Sequence, residues 1–145
     1  MLSPMLCPLA LAAPLLAASM MPGPPPVMIT MRPPPGPVRA RPTIDRDRLY
    51  LPVEDGRVIA LKLATGEPVW ERKLPGAPGE IVVADDRLFV GAQDHCFYSL
   101  SAADGRFRWR WQAGGDIPGP AAVDRERVYF LSLDNVLRAL DRRSG

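Results

Sequence analysis

The sequence predicts an all-β fold, an incomplete β-propeller of four-stranded antiparallel blades with two full repeats and a truncated third. Three observations predict it. A unit of 39 or 40 residues recurs without internal gaps from Asp45 to Gly145. Each unit breaks into short runs rich in β-branched and aromatic residues, separated by turn dipeptides. One run per unit, Val58 to Leu63 in the first, is apolar at nearly every position, which in a sheet means that both faces are covered.

The three copies are DRDRLYLPVEDGRVIALKLATGEPVW from Asp45, ADDRLFVGAQDHCFYSLSAADGRFRW from Ala84, and DRERVYFLSLDNVLRALDRRSG from Asp124. In register stand Arg48, Arg87 and Arg127; Tyr50, Phe89 and Tyr129; Asp55, Asp94 and Asp134; Leu61, Leu100 and Leu140; Gly66, Gly105 and Gly145. Asp55-Gly56 tolerates positive φ and predicts a type I′ hairpin; Asp94-His95 and Asp134-Asn135 take the same place. A second turn, Ala64-Thr65-Gly66 or Ala103-Asp104-Gly105, leads into the strand that carries Trp70 or Trp109, and further turns follow at Pro75 to Gly79 and Gly114 to Gly119. Ile81 to Val83 and Ala121 to Val123 supply a strand ahead of the Asp-x-x-Arg turn, so each full unit holds four strands. The alternation and the turn frequency exclude a helical solenoid.

Composition sets the domain boundaries. All six Met and twelve of the eighteen Pro lie at or before Pro42, so the repeat domain is 43–145, with blades near 43–75, 79–113 and 118–145. Within 1–19, Leu9 to Ala18 reads LALAAPLLAA, too short to span a bilayer and suited to a signal-peptide core followed by the small residues Ala17 and Ser19. Met1 to Pro8 has no Lys or Arg and Pro14 interrupts the run, which count against that reading; Cys7 precedes the run, which counts against a lipoprotein. Residues 20–42 contain PGPPP and RPPPGP, an extended Pro-rich linker, or sequence ahead of the true start, since several internal Met residues allow a later one. Export to the periplasm or cell envelope is the expectation, with membrane association only if the N-terminal segment is retained.

Net charge is +2, from sixteen Arg, two Lys and sixteen acids of mixed sign, which excludes a nucleic-acid footprint. Arg106, Arg108 and Arg110 alternate and read as one solvated or blade-covering stripe. Cys7 and Cys96 make neither a disulfide framework nor a metal-ligand spacing.

The stretch ALKLATGEPVW, Ala60 to Trp70, resembles the repeat of pyrroloquinoline-quinone-like propellers, A-x-D-x-x-T-G-x-x-x-W. SLSAADGRFRW, Ser99 to Trp109, is similar, and ALDRRSG, Ala139 to Gly145, follows it to the end of the sequence. WD40 propellers share the period, but no Gly-His start or Trp-Asp end falls in register. The resemblance implies that Gly66 and Gly105 hold turns and that Trp70 and Trp109 dock onto the adjacent blade. Lys62 and Ser101 stand where the consensus has Asp, which Asp141 retains.

Quinoprotein dehydrogenases of this kind need an adjacent Cys pair and a carboxylate and amide cage for Ca²⁺. No such pair occurs, and under three blades do not close an axis. His95 reads as a turn residue, Cys96 as a buried thiol, and Asp55, Asp94 and Asp134 as turn formers rather than metal ligands. The expectation is therefore a non-catalytic binding or scaffolding propeller fragment, without catalytic, cofactor or metal residues. Its repeat positions Asp55, Gly56, Gly66, Trp70, Asp94, Gly105, Trp109 and Asp134 are structural. A protein partner is expected, with further blades or self-association. The alternatives are a piece of a quinoprotein dehydrogenase, told apart by a Cys pair and carboxylate cage in further blades, and the sensor propeller of a signalling protein.

Overall fold

A computed structural model describes residues 36–38 and 40–145. The signal-peptide segment and residues 20–35 and 39 of the Pro-rich segment lie outside the described residues.

Three antiparallel sheets follow one another along the chain. The first is β1 (Thr43–Asp45), β2 (Arg48–Pro52), β3 (Arg57–Lys62) and β4 (Pro68–Lys73), in that order. The second is β5 (Pro78–Ala84), β6 (Arg87–Ala92), β7 (Cys96–Ser101) and β8 (Phe107–Gln112), again in chain order. The third holds β9 (Ala122–Val123), β10 (Arg127–Ser132) and β11 (Val136–Asp141). Each sheet is a blade. Across blades β1 touches β5 and β5 touches β9, so the first strands line the inner side of the arc.

The hairpin between the second and third strands differs from the type I′ expectation. Only its last residue has positive φ: Gly56 at 96°, His95 at 64° and Asn135 at 62°. Gly56 N donates to Val53 O and Val53 N to Arg57 O, a type I turn closed by one left-handed residue. The Asp carboxylate is the cause. It accepts from the backbone N–H two residues on, at Arg57 (3.1 Å), Cys96 (3.2 Å) and Val136 (3.1 Å), and that bond holds the Asp itself at negative φ. The type I′ geometry occurs one hairpin earlier, at Asp85-Asp86, where both residues have positive φ. The fifth strand also begins at Pro78, so the preceding turn is shorter than Pro75 to Gly79.

Packing between blades makes the core. Tyr50, Val58 and Ala60 of the first blade meet Leu88, Val90, Tyr98 and Leu100 of the second. Phe89 and Phe97 meet Val128 and Phe130 of the third, with Phe97 stacked on Phe130 at 4.1 Å. The middle blade is covered on both sides: every residue of β7 is buried, whereas β11 is exposed or half-buried throughout. Each large side chain fully buried in these seams contributes about 1.5–3 kcal/mol.

The seam repeats in its polar contacts. Arg48 donates to the carbonyls of Ala102 (2.6 Å) and Ala103 (3.0 Å), and Arg87 to those of Arg142 (3.1 Å) and Arg143 (3.0 Å). Arg127, the third in register, is exposed and reaches no such turn among the described residues. Charged hydrogen bonds of this kind are worth about 1.5–3 kcal/mol. Arg48→Ala and Arg87→Ala should each lower unfolding free energy in urea by about that much, and Arg127→Ala by under about 0.5 kcal/mol. Equal losses at all three positions would contradict this account of the seam.

Candidate functional site

Trp70 and Trp109 sit on fourth strands and reach across to the next blade. The Trp70 indole N–H donates to Ala102 O at 2.9 Å, and that of Trp109 to Arg142 O at 3.2 Å. Each indole rests beside its own blade's ring, Tyr50 at 6.0 Å and Phe89 at 6.1 Å between centroids. It has room because its partner across the strand pair is small, Ala60 or Ser99. Under the indole lies the next blade's turn glycine. A Cβ on Gly105 would stand 2.5 Å from Trp70, and one on Gly145 3.0 Å from Trp109. Gly66, Gly105 and Gly145 share φ of 72°, 68° and 90°, and each donates its N–H to the residue four before it.

The turn that receives the Trp keeps its shape although its consensus Asp is retained only at Asp141. Asp141 Oδ1 accepts from the N–H groups of Arg143 and Ser144, both at 2.8 Å. Where Ser101 and Lys62 replace it, Asp104 accepts from Arg106 N (3.2 Å) and Thr65 Oγ1 from Glu67 N (3.3 Å). A carboxylate or hydroxyl inside these two turns thus holds the N–H that follows the glycine, where Asp141 holds the two that precede it.

The hairpin aspartates have separate partners. Asp55 holds Arg57, whose Nε lies 2.7 Å from Oδ2. Asp94 accepts the Tyr98 hydroxyl, and burial, reinforced by that carboxylate, pushes the phenol far above its ordinary range. Asp134 accepts from Arg138 (2.6 Å), the Ser132 hydroxyl and Gly114 N (3.1 Å). His95 Nε2 stands 3.1 Å from Asp116, and Cys96 is buried beside Tyr98. Among the described residues no group of three or more His, Cys, Asp or Glu side chains is placed to hold a metal ion. No helix there is long and apolar enough to cross a membrane.

The truncated third repeat predicts a blade with an exposed edge, and among the described strands β11 pairs only with β10, with Leu131, Leu133 and Leu137 59%, 66% and 69% exposed. Leu131 and Leu137 are cross-strand partners, as are Tyr129 and Ala139, so these four share one face. Not legible in the sequence is a groove of about 480 Å³ between β4 and β8, which the Arg stripe did not reveal. Arg106 leaves that stripe: it sits in the turn before β8, paired with Asp104 at 3.2 Å, and a bulge between Ser99 and Leu100 breaks the alternation.

Stacked four-stranded blades joined by a Trp and a turn glycine define a segment of a quinone-like repeat propeller. The family model described as outer membrane protein assembly factor BamB matches residues 30–80 and 54–145, and the chain belongs to that family. A curated outer membrane protein assembly factor BamB from Alkalilimnicola ehrlichii is 29% identical over 118 residues, 72% of this chain and 30% of that protein. The crystal structure of BamB from Moraxella catarrhalis superposes with a TM-score of 0.61 at 21% identity, over 68% of this chain and 32% of that one. The computationally designed Ika8 protein gives a TM-score of 0.66 at 12% identity over 72% of this chain and 33% of its own. The chain spans about a third of the length of the two natural relatives. The name of the curated relative describes an outer membrane protein assembly factor.

Asp134 has a pH signature. Hydrogen bonds from Arg138, then Ser132, hold its carboxyl far below the usual 3.8. A folded-state value below the unfolded one gives stability that is present above about pH 4 and is lost as pH falls. Asp134→Asn should therefore be less stable than the parent in urea at pH 7, with the gap narrowing by pH 3. A gap unchanged between the two pH values would count against the ion pair as its source.

Proposed function

We propose that this chain is a non-catalytic binding or scaffolding segment of an exported propeller, with 1–19 as signal peptide, 20–42 as linker and 43–145 as blades. The family match and the name of the curated relative, an outer membrane protein assembly factor, support this reading and its setting in the cell envelope. The observation that carries it is the family match, which spans residues 30–80 and 54–145. The exposed edge of the third blade, with Leu131, Leu133 and Leu137 beside it, is where a further blade or a separate envelope protein would pack.

A photo-crosslinking amino acid placed at Leu137 of the full chain, produced in a Gram-negative host, tests both halves. The expected result is a cross-linked polypeptide in the periplasmic fraction at Leu137 and none from the same group at exposed Glu67. Retention in the cytoplasm, or identical products from both positions, would contradict the proposal.

A further inference from the structure

The groove at the outer mouth of the seam between the first two blades is separate from the open third blade. Its wall is aromatic: Phe107 is 47% exposed and stands 5.6 Å from Tyr98, between ring centroids, at 46°. Arg72 covers Phe107 from the first blade, its guanidinium carbon 5.5 Å from the ring centre, while its Nε donates to Gly105 O at 2.7 Å. Across the opening lie Lys73 and Pro75 from the end of β4, and Arg110 from β8. Lys73 and Arg110 are exposed; neither forms an ion pair among the described residues, and Asp55 lies near enough to Lys73 to feel its charge. The outer strand of the second blade, FRWRWQ, carries two Arg and no acid.

Each component selects for a different part of a ligand. A half-exposed aromatic ring takes a second ring on its uncovered side, a contact worth about 0.5–1.5 kcal/mol beyond the area it buries. Two exposed cations beside it take carboxylates, and their field favours acidic ligands over basic ones. At about 480 Å³ the opening holds one large side chain and its neighbours rather than a folded surface. The groove runs between two edge strands, which suits an extended backbone. Tyr98 closes the wall with its hydroxyl already donated to Asp94, so it presents a ring and no free donor.

We propose that this groove is a peptide-binding site for an acidic, extended segment of a partner protein bearing one aromatic residue, its ring on Phe107 and its carboxylates between Lys73 and Arg110. The proposal goes beyond the open-edge reading: it uses a different seam, different residues and charge rather than strand completion. It assigns the two cations a role that packing of the blades does not require.

The test uses the full chain and a fluorescein-labelled peptide, Ser-Asp-Glu-Phe-Glu-Asp-Ser-Gly, followed by anisotropy. Expected are saturable binding, a loss of at least fivefold in affinity for Lys73→Glu and for Arg110→Glu, and a similar loss when the peptide Phe is replaced by Ser. Raising NaCl from 150 to 500 mM should weaken binding as well, because exposed charges are screened. Thermal unfolding of each variant establishes that it is folded, and both altered side chains are exposed. Absence of saturable binding would overturn the proposal, as would affinity unchanged by both charge reversals. Equal binding of the Phe and Ser peptides would overturn the aromatic seat. None of these results alters cross-linking at Leu137, so failure here is distinguishable from failure of the envelope-binding reading.

Discussion

The carbonyl groups at the turn between the third and fourth strands of a blade point away from their own sheet, and the preceding blade satisfies them. Ala102 O accepts both Arg48 and the Trp70 indole, and Arg142 O accepts both Arg87 and the Trp109 indole. Unpaired carbonyls beside buried apolar surface would cost about 1–3 kcal/mol each, so the docking removes a penalty as well as adding contacts. It also fixes geometry. The Trp lies on a glycine whose φ of 68° an L side chain rarely adopts and whose missing Cβ leaves the indole its place. One turn therefore sets the distance and the angle between two sheets that share no backbone hydrogen-bond ladder.

Much of this was readable because each repeat carries its own punctuation. Strand runs with both faces apolar, turn dipeptides at fixed offsets and a four-strand count give the blade directly, and three copies give the stack. What was not readable depends on partners far away in sequence. Arg48, Arg87 and Arg127 visibly recur, but their acceptors lie 54 to 56 residues on for the first two, and nothing in the local pattern marks a carbonyl as a target. The hairpin type failed for a local reason. Asp-Gly fits a type I′ turn and a type I turn closed by a left-handed residue equally well, and the Asp side chain's bond to the N–H two residues on decides between them.

The groove between the first two blades was hidden for a third reason: it does not repeat. Phe107 and Arg110 stand in register with Pro68 and Glu71, so the alignment that exposes the blades averages these residues away. The bulge between Ser99 and Leu100 recurs between Ala60 and Leu61, but it places Phe107 opposite Leu100 and beside Tyr98 where the first blade has Pro68 opposite Leu61. Structural positions are thus the ones that recur, and candidate binding positions are the ones that break the recurrence.

The central claim, that the Trp docked on the turn glycine joins neighbouring blades, is tested most directly by a double-mutant cycle of Trp70→Ala and Gly105→Ala, read by urea unfolding. Gly105→Ala in the parent meets both the backbone cost of positive φ, about 1–2 kcal/mol, and the indole. With Trp70 removed only the backbone cost remains. The account predicts a coupling of at least about 1 kcal/mol, with the glycine substitution milder in the Trp70→Ala background. Additivity of the two substitutions within about 0.5 kcal/mol would contradict it.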